Sequence, residues 1–208
     1  MATNERSMFS FELTKEQEEY VKQLVDYSIQ NHTVPDIFDQ MYQKEYRTTG
    51  TMGEVAFADL YKLPRPKRSF GAIDGQDMGK DFCLNGKNVD IKTMRRKSEN
   101  FYENFVLNIP SSQLNKKGSL TDFYCCLSLM NKDGKWRVAI IGFIDKNKIL
   151  SNETGEFYPK GTVRTKNDGN TFKFAEDTYE ILFSEITPPI ITDEMYALPG
   201  FKKLKLKK

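Results

Sequence analysis

Lys80-Asp81-Phe82-Cys83-Leu84-Asn85-Gly86-Lys87-Asn88-Val89-Asp90-Ile91-Lys92-Thr93 holds two short β-prone runs on either side of Asn85-Gly86, and the turn chemistry of that pair decides which side chains share a face. Both central residues of a two-residue type I′ turn need positive φ, which Asn and Gly tolerate best. Leu84 then faces Lys87, Cys83 faces Asn88, Phe82 faces Val89 and Asp81 faces Asp90. Opposed residues hold their Cβ atoms roughly 4.5–5.5 Å apart, so two carboxylates meet side by side. Because strand side chains alternate, Lys92 shares the Asp90 face while Phe82, Val89 and Ile91 turn towards a core. One face is expected to carry chemistry and the other to pack.

Two carboxylates held this close repel each other, so one must take up a proton or a cation must sit between them. Carboxylate oxygens and a backbone carbonyl with open water positions suit Mg²⁺, and such a site keeps room for a phosphate. Lys92 stands where an ammonium could hold an attacking hydroxide or neutralise charge developing on phosphorus. The plainer alternative is an exposed hairpin with a surface Asp-Asp-Lys cluster.

An acidic residue opening one strand, Asp-x-Lys closing the next and a Glu on a preceding helix resemble the PD-(D/E)XK nuclease superfamily, which includes restriction endonucleases and repair nucleases. Asp90-Ile91-Lys92 matches the (D/E)-x-K element, Asp81 the first acid, and Glu54 in Gly53-Glu54-Val55-Ala56-Phe57-Ala58 the helical Glu. The resemblance spans about residues 50 to 145. Lys80 stands where the eponymous Pro often does, and Asp74 and Asp77 compete for the role of first acid, although neither pairs opposite Asp90 without giving up the Asn-Gly turn. The resemblance implies an α+β or α/β, restriction-endonuclease-like αβββαβ core, its central mixed β-sheet flanked by helices. It also implies Mg²⁺, with Mn²⁺ as substitute, held by Asp81, Asp90 and Glu54, with Lys92 assisting the nucleophile.

With 208 residues, 38% hydrophobic and 29% charged, the chain is long enough to bury a substantial core as a single domain. The expected layout is a helical segment over 1–49, a catalytic core over 50–145, a mostly β extension over 146–200 and a basic tail over 201–208. No apolar run approaches the ~20 residues of a membrane span, and the first residues lack a signal-peptide pattern, so a cytoplasmic location is the default. Cys83, Cys125 and Cys126 have no metal-ligand spacing and read as reduced packing residues. The single histidine, His32, leaves no basis for a His-based metal cluster or a Ser-His-Asp triad.

A net charge of +2 is too near neutral to argue nucleic-acid binding, so the distribution of charge has to carry that point. Between Lys87 and Lys117 stand seven basic and three acidic residues. Arg95-Arg96-Lys97 leaves the Asp90 strand directly, where phosphate contacts would hold DNA over a metal. Asn108 and Gln113 follow in order, and amides read base edges or phosphates, though residues in such places also serve as caps.

Along the chain, Thr14-Lys15-Glu16-Gln17 is a capping box opening an amphipathic helix with Tyr20, Val21, Leu24, Val25 and Ile29 at helical spacing. A break at His32–Pro35, a short helix capped by Asp36 with Ile37, Phe38, Met41 and Tyr42, and a second break at Thr48-Thr49-Gly50 precede the Glu54 helix, which ends near Leu63-Pro64. Phe105–Ile109 reads as a third strand and Pro110–Gln113 as a helix start. Asp122–Met130 and Trp136–Ile144 read as strands around an Asp133-Gly134 turn. Val163-Arg164, Thr171–Phe174 and Tyr179–Phe183 read as later strands, the first two joined by a turn at Asn167–Asn170. These readings describe a Mg²⁺-dependent DNA endonuclease, with homodimerisation a simple way to cut both strands. The alternative is a nuclease-like fold used as a DNA-binding or assembly module without turnover. A third reading is an unrelated α+β interaction protein.

Overall fold

The computed structural model describes residues 5–31, 40–67, 80–165, 169 and 171–208. His32, Asp36, Ile37, Phe38, Asp74 and Asp77 lie outside them, as do the side chains of Met41 and Tyr42 and most of the Asn167–Asn170 turn. In chain order the elements are β1 (Glu5–Arg6), β2 (Met8–Glu12), α1 (Lys15–Asn31), α2 (Gln40–Leu60), β3 (Phe82–Leu84), β4 (Lys87–Arg95), β5 (Phe101–Tyr102), β6 (Val106–Pro110) and α3 (Ser111–Leu114). They continue through β7 (Phe123–Lys132), β8 (Lys135–Asp145), α4 (Lys146–Leu150), β9 (Glu156–Tyr158), β10 (Val163–Thr165), β11 (Thr171–Lys173), β12 (Thr178–Leu182), β13 (Ile190–Ile191), β14 (Lys202–Leu204) and β15 (Leu206–Lys207).

The architecture is α+β, around a mixed six-stranded sheet in the order β14-β2-β8-β7-β4-β3. β4 and β7 run parallel, and every other neighbouring pair is antiparallel. The central hairpin turns on Asp133 (φ 53°) and Gly134 (φ 76°), the positive-φ pair that a two-residue turn between twisted strands requires. Helices α1 and α2 cover one face of the sheet. There Val21, Leu24 and Val25 from α1 and Val55, Phe57 and Ala58 from α2 bury against Phe9, Val89, Ile91, Cys125 and Leu127. The opposite face carries a second core, in which Tyr124, Cys126 and Ile141 meet Leu107 and Ile109 of β6, Ile181 of β12 and Ile149 of α4. Cys125 and Cys126 are therefore both fully buried, one in each core, as free thiols whose pKa values burial raises. Among the described residues, no helix is long and apolar enough to cross a membrane.

The start of α1 has the expected capping box. Gln17 N–H donates to Thr14 Oγ1 at 3.2 Å, and Gln17 Oε1 accepts from Thr14 N–H at 2.9 Å. The expected break at Thr48-Thr49-Gly50 does not occur, and α2 runs through it. Thr48 and Thr49 hydroxyls donate to the carbonyls of Lys44 (2.7 Å) and Glu45 (2.9 Å) one turn earlier, an arrangement that keeps both side chains satisfied inside a helix. The 1–49 segment, expected to be helical, also carries strands β1 and β2, and β2 lies between β14 and β8 in the central sheet. Phe105–Ile109 forms a strand outside the central sheet. It pairs with β12 in a separate sheet, β6-β12-β9, and the helix after it is the four-residue α3. The chain therefore has the expected α+β architecture with a central mixed sheet flanked by helices, but the strand read as third in an αβββαβ order lies outside that sheet. The basic C-terminal stretch pairs as well, β14 with β2 and β15 with β5.

α2 reaches the sheet through Gly53. A Cβ built there would lie 1.8 Å from Thr93 Oγ1, so only glycine lets helix and strand approach this closely. Gly53→Ala is expected to lower stability by about 1–3 kcal/mol, the usual cost of overpacking. The double variant Gly53→Ala/Thr93→Ala should recover much of that loss in urea denaturation. An unchanged midpoint in Gly53→Ala would show that the approach is not a constraint.

Candidate active site

The hairpin has the register its turn dictates. Asn85 (φ 50°) and Gly86 (φ 76°) form the turn, with Leu84 opposite Lys87, Cys83 opposite Asn88 and Phe82 opposite Val89. β3 begins at Phe82, and just before it Asp81 N–H closes on Val89 O at 2.9 Å. Beyond that point the Asp81 side chain stands in for the missing strand, its Oδ2 accepting Ile91 N–H at 2.6 Å. A carboxylate here satisfies a backbone donor that the short edge strand leaves behind. At the other end, Asp122 Oδ2 accepts Asn88 N–H at 2.8 Å and Asp122 N–H donates to Asn88 O at 2.9 Å, locking the start of β4 to β7.

Asp90 and Lys92 project from β4 on the face opposite α2, beside Tyr124 and Cys126 of the parallel neighbour β7. The hairpin alone predicts a wet face here, but the second core covers much of it. The side chains of Asp90 and Lys92 are only 14% and 22% exposed, and they pair at 2.6 Å. Lys92 Nζ lies 5.6 Å from the Tyr124 ring centre, a cation–π distance. Burial, reinforced by Asp90, raises the Tyr124 hydroxyl pKa. Sequence reasoning does not single out Tyr124, because the pairing of two parallel strands joined by a long crossover has no local turn to announce its register.

Glu54 follows Gly53 on α2, so the close helix–strand approach also brings Glu54 towards the end of β3. The consequence appears at Asp81. Its pKa is raised to about 8, first by burial, then by the Glu54 and Asp90 charges; the Ile91 N–H and Lys92 act the other way. Glu54, Asp81, Asp90 and Lys92 are thus brought into one electrostatic neighbourhood. Among the described residues, no three His, Cys, Asp or Glu side chains form a preassembled metal cluster.

The other residues expected to touch nucleic acid divide, Arg96, Lys97 and Asn108 lining one cleft and Arg95 and Gln113 standing apart from it. Arg95 points to the α2 side, where it pairs with Glu45 and lies 5.0 Å from the Trp136 ring centre. Arg96 turns inward between the rings of Phe105 (4.6 Å) and Phe183 (5.3 Å) and donates to Val106 O at 3.2 Å. Lys97 is exposed. Asn108 is exposed on β6 opposite Glu180, while Gln113 is exposed on α3. Arg95-Arg96-Lys97 is therefore not one basic patch, because alternation along β4 sends Arg95 and Arg96 to opposite faces, while Lys97, beyond the strand, shares the cleft with Arg96. No protein-family model, curated protein or solved structure matches the chain.

The raised Asp81 pKa has a definite sign in stability. Between its ordinary value of 3.8 and about 8, the folded chain binds more protons at Asp81 than the unfolded chain does. This group's contribution to stability therefore falls as pH rises through that window. Without divalent metal, wild type is expected to lose stability relative to Asp81→Asn across the same window, since Asn keeps an acceptor for Ile91 N–H without the charge. Parallel pH profiles of urea unfolding for the two proteins would show Asp81 ionised normally.

Proposed function

We propose that the chain is a Mg²⁺-dependent DNA endonuclease of the PD-(D/E)XK type that hydrolyses phosphodiester bonds. The observation that carries the reading is the buried Asp81 carboxylate before β3, lifted to about 8 first by burial and then by the charges of Glu54 on α2 and Asp90 on β4, with Lys92 paired to Asp90 at 2.6 Å. Hard carboxylate oxygens are the donors a hard divalent cation takes. A cation would also relieve the repulsion that the protonation of Asp81 relieves in its absence. The donor chemistry therefore fits Mg²⁺ or Mn²⁺, held by Glu54, Asp81 and Asp90.

When bound, the cation supplies charge stabilisation on the phosphate and a more acidic water. The chain's own residues do the rest. Asp81, raised to about 8, would have to give up its proton to act as a ligand, so loading would strengthen with pH. Asp90, paired with Lys92 in the chain as it stands, would supply a carboxylate oxygen to the cation, and the Lys92 ammonium would then serve to neutralise charge developing on the phosphoryl oxygens. Water oxygen bonds to phosphorus as the bond from phosphorus to the 3′ oxygen breaks, the proton that water gives up passing to solvent and the 3′ oxygen taking one from it, which leaves 5′-phosphate and 3′-hydroxyl ends. A second reading, a nuclease-like binding or assembly module without turnover, draws on the closed Asp90–Lys92 pair and on Asp81 Oδ2 being engaged by Ile91 N–H.

The test is cleavage of plasmid and oligonucleotide substrates in Mg²⁺, Mn²⁺ or EDTA. Asp81→Asn and Asp90→Asn are expected to abolish cleavage. Lys92→Ala should cut on the order of 10²–10³ more slowly while binding DNA in Ca²⁺ as wild type does. Unfolding midpoints separate these losses from misfolding, since Lys92 and Asp90 are largely buried together. DNA binding indifferent to metal, with no cleavage by wild type, would replace the enzyme with the binding module. Full activity in both Asp variants would remove the site.

A further inference from the structure

On the same face of β4 as Lys92, two residues further along, Met94 enters the lining of a cleft of about 710 Å³. At a strand rise of about 3.3 Å per residue, the cleft begins roughly 7 Å from Lys92. Its walls are β4 and the residues just after it, β6, and the β10–β11 hairpin. Three cations line it, Arg96, Lys97 and Arg164, against one carboxylate, Glu180. That carboxylate is buried and already bonded to Arg164 at 2.9 Å, which leaves the Arg96 and Lys97 charges in excess.

Arg96 is the unusual member. Its guanidinium packs against two aromatic rings, its Nε–H is buried with no acceptor, and among the described residues it has no carboxylate partner. Burial pushes its pKa down. A desolvated cation with no counter-charge is costly, and an anion in the cleft would offset that cost. Beside these charges the rings of Phe105 and Phe172 and the amides of Asn104 and Asn108 also line the cleft. Cations alternating with aromatic rings are the combination that tracks a nucleic-acid backbone while stacking exposed bases. Bases inside an intact duplex have no free face to offer such rings, whereas unpaired bases do.

We infer that this cleft seats an unpaired nucleotide next to the scissile phosphate, so that the chain prefers single-stranded or splayed nucleic acid to intact duplex. The inference rests on the nuclease reading for its place beside Lys92, but it is tested by binding without metal. The measurement is fluorescence anisotropy in EDTA with a labelled single-stranded DNA oligonucleotide and its duplex, for wild type, Lys97→Glu, Phe172→Ala and the control Lys117→Glu, a charge reversal at an exposed lysine away from the cleft. Tighter binding of the single strand is expected. Phe172→Ala should weaken it about 5-fold or more, the least effect of removing one stacked base. Lys97→Glu should weaken it and lower the log–log salt slope by roughly 0.7 for each phosphate that is no longer neutralised. Lys97 is exposed, so its variant keeps the test valid if Phe172→Ala unfolds the hairpin. Duplex binding as tight as single-strand binding, or cleft variants no weaker than Lys117→Glu, would overturn the inference even if Asp90→Asn abolishes cleavage. Selective weakening in the cleft variants with no cleavage by wild type would uphold the cleft as a single-strand site and overturn only its place beside a scissile phosphate.

Discussion

The approach of α2 to β4 at Gly53 and Thr93 is the constraint on which the rest depends. With no Cβ at Gly53, the helix settles where any side chain would collide with Thr93 Oγ1. That depth lets Val55, Phe57 and Ala58 bury fully against the sheet and puts Glu54, the next residue along, within electrostatic reach of Asp81. Packing and electrostatics are coupled through one missing methyl group.

β4 bears this coupling because it is buried on both faces. Val89 and Ile91 belong to the helix-side core, while Asp90 and Lys92 lie beside Tyr124 and Cys126 of the other. A carboxylate on a covered face cannot rely on water, so its charge is met by Lys92 at 2.6 Å. The Asp81 carboxylate, at the end of the short strand β3, is held by Ile91 N–H and opposed by its acidic neighbours. Such perturbed carboxylates are a recurrent feature of functional sites, though ion-pair networks also produce them. The physical basis of the proposed cation chemistry is that imbalance.

Elsewhere, charges are balanced inside the fold. Arg65 forks onto Asp59 at 2.6 Å and onto Glu16 at 2.6 and 2.7 Å, which ties the loop after α2 to α1. Arg137 reaches Glu99, Glu12, Ser10 Oγ and the Gly200 carbonyl, fastening the C-terminal strand to the sheet. Against these networks, Arg96 stands out as a cation held by two rings, a carbonyl and the Met94 sulfur, with no carboxylate partner among the described residues.

Where chemistry is local, the sequence determined the outcome. Asn85-Gly86 and Asp133-Gly134 set two hairpins in register because two residues with positive φ admit one pairing of their flanks, and Thr14 with Gln17 set the start of α1 within a single turn. From the first hairpin follow the proximity of Asp81 to Asp90 and the common face of Asp90 and Lys92. Tertiary structure alone decided what depends on partners far away in the chain. Thr48 and Thr49 stayed helical because one continuous face of α2 packs, β6 left the central sheet to pair with β12, and the Asp90 face was covered by residues some 15 to 90 positions later. It also parted Arg95 from Arg96 and joined Arg96 to Arg164 across the cleft. A turn closes over a few residues, so its geometry is written in them; a parallel crossover or a second sheet is selected by burial summed over the whole chain, which no short stretch encodes.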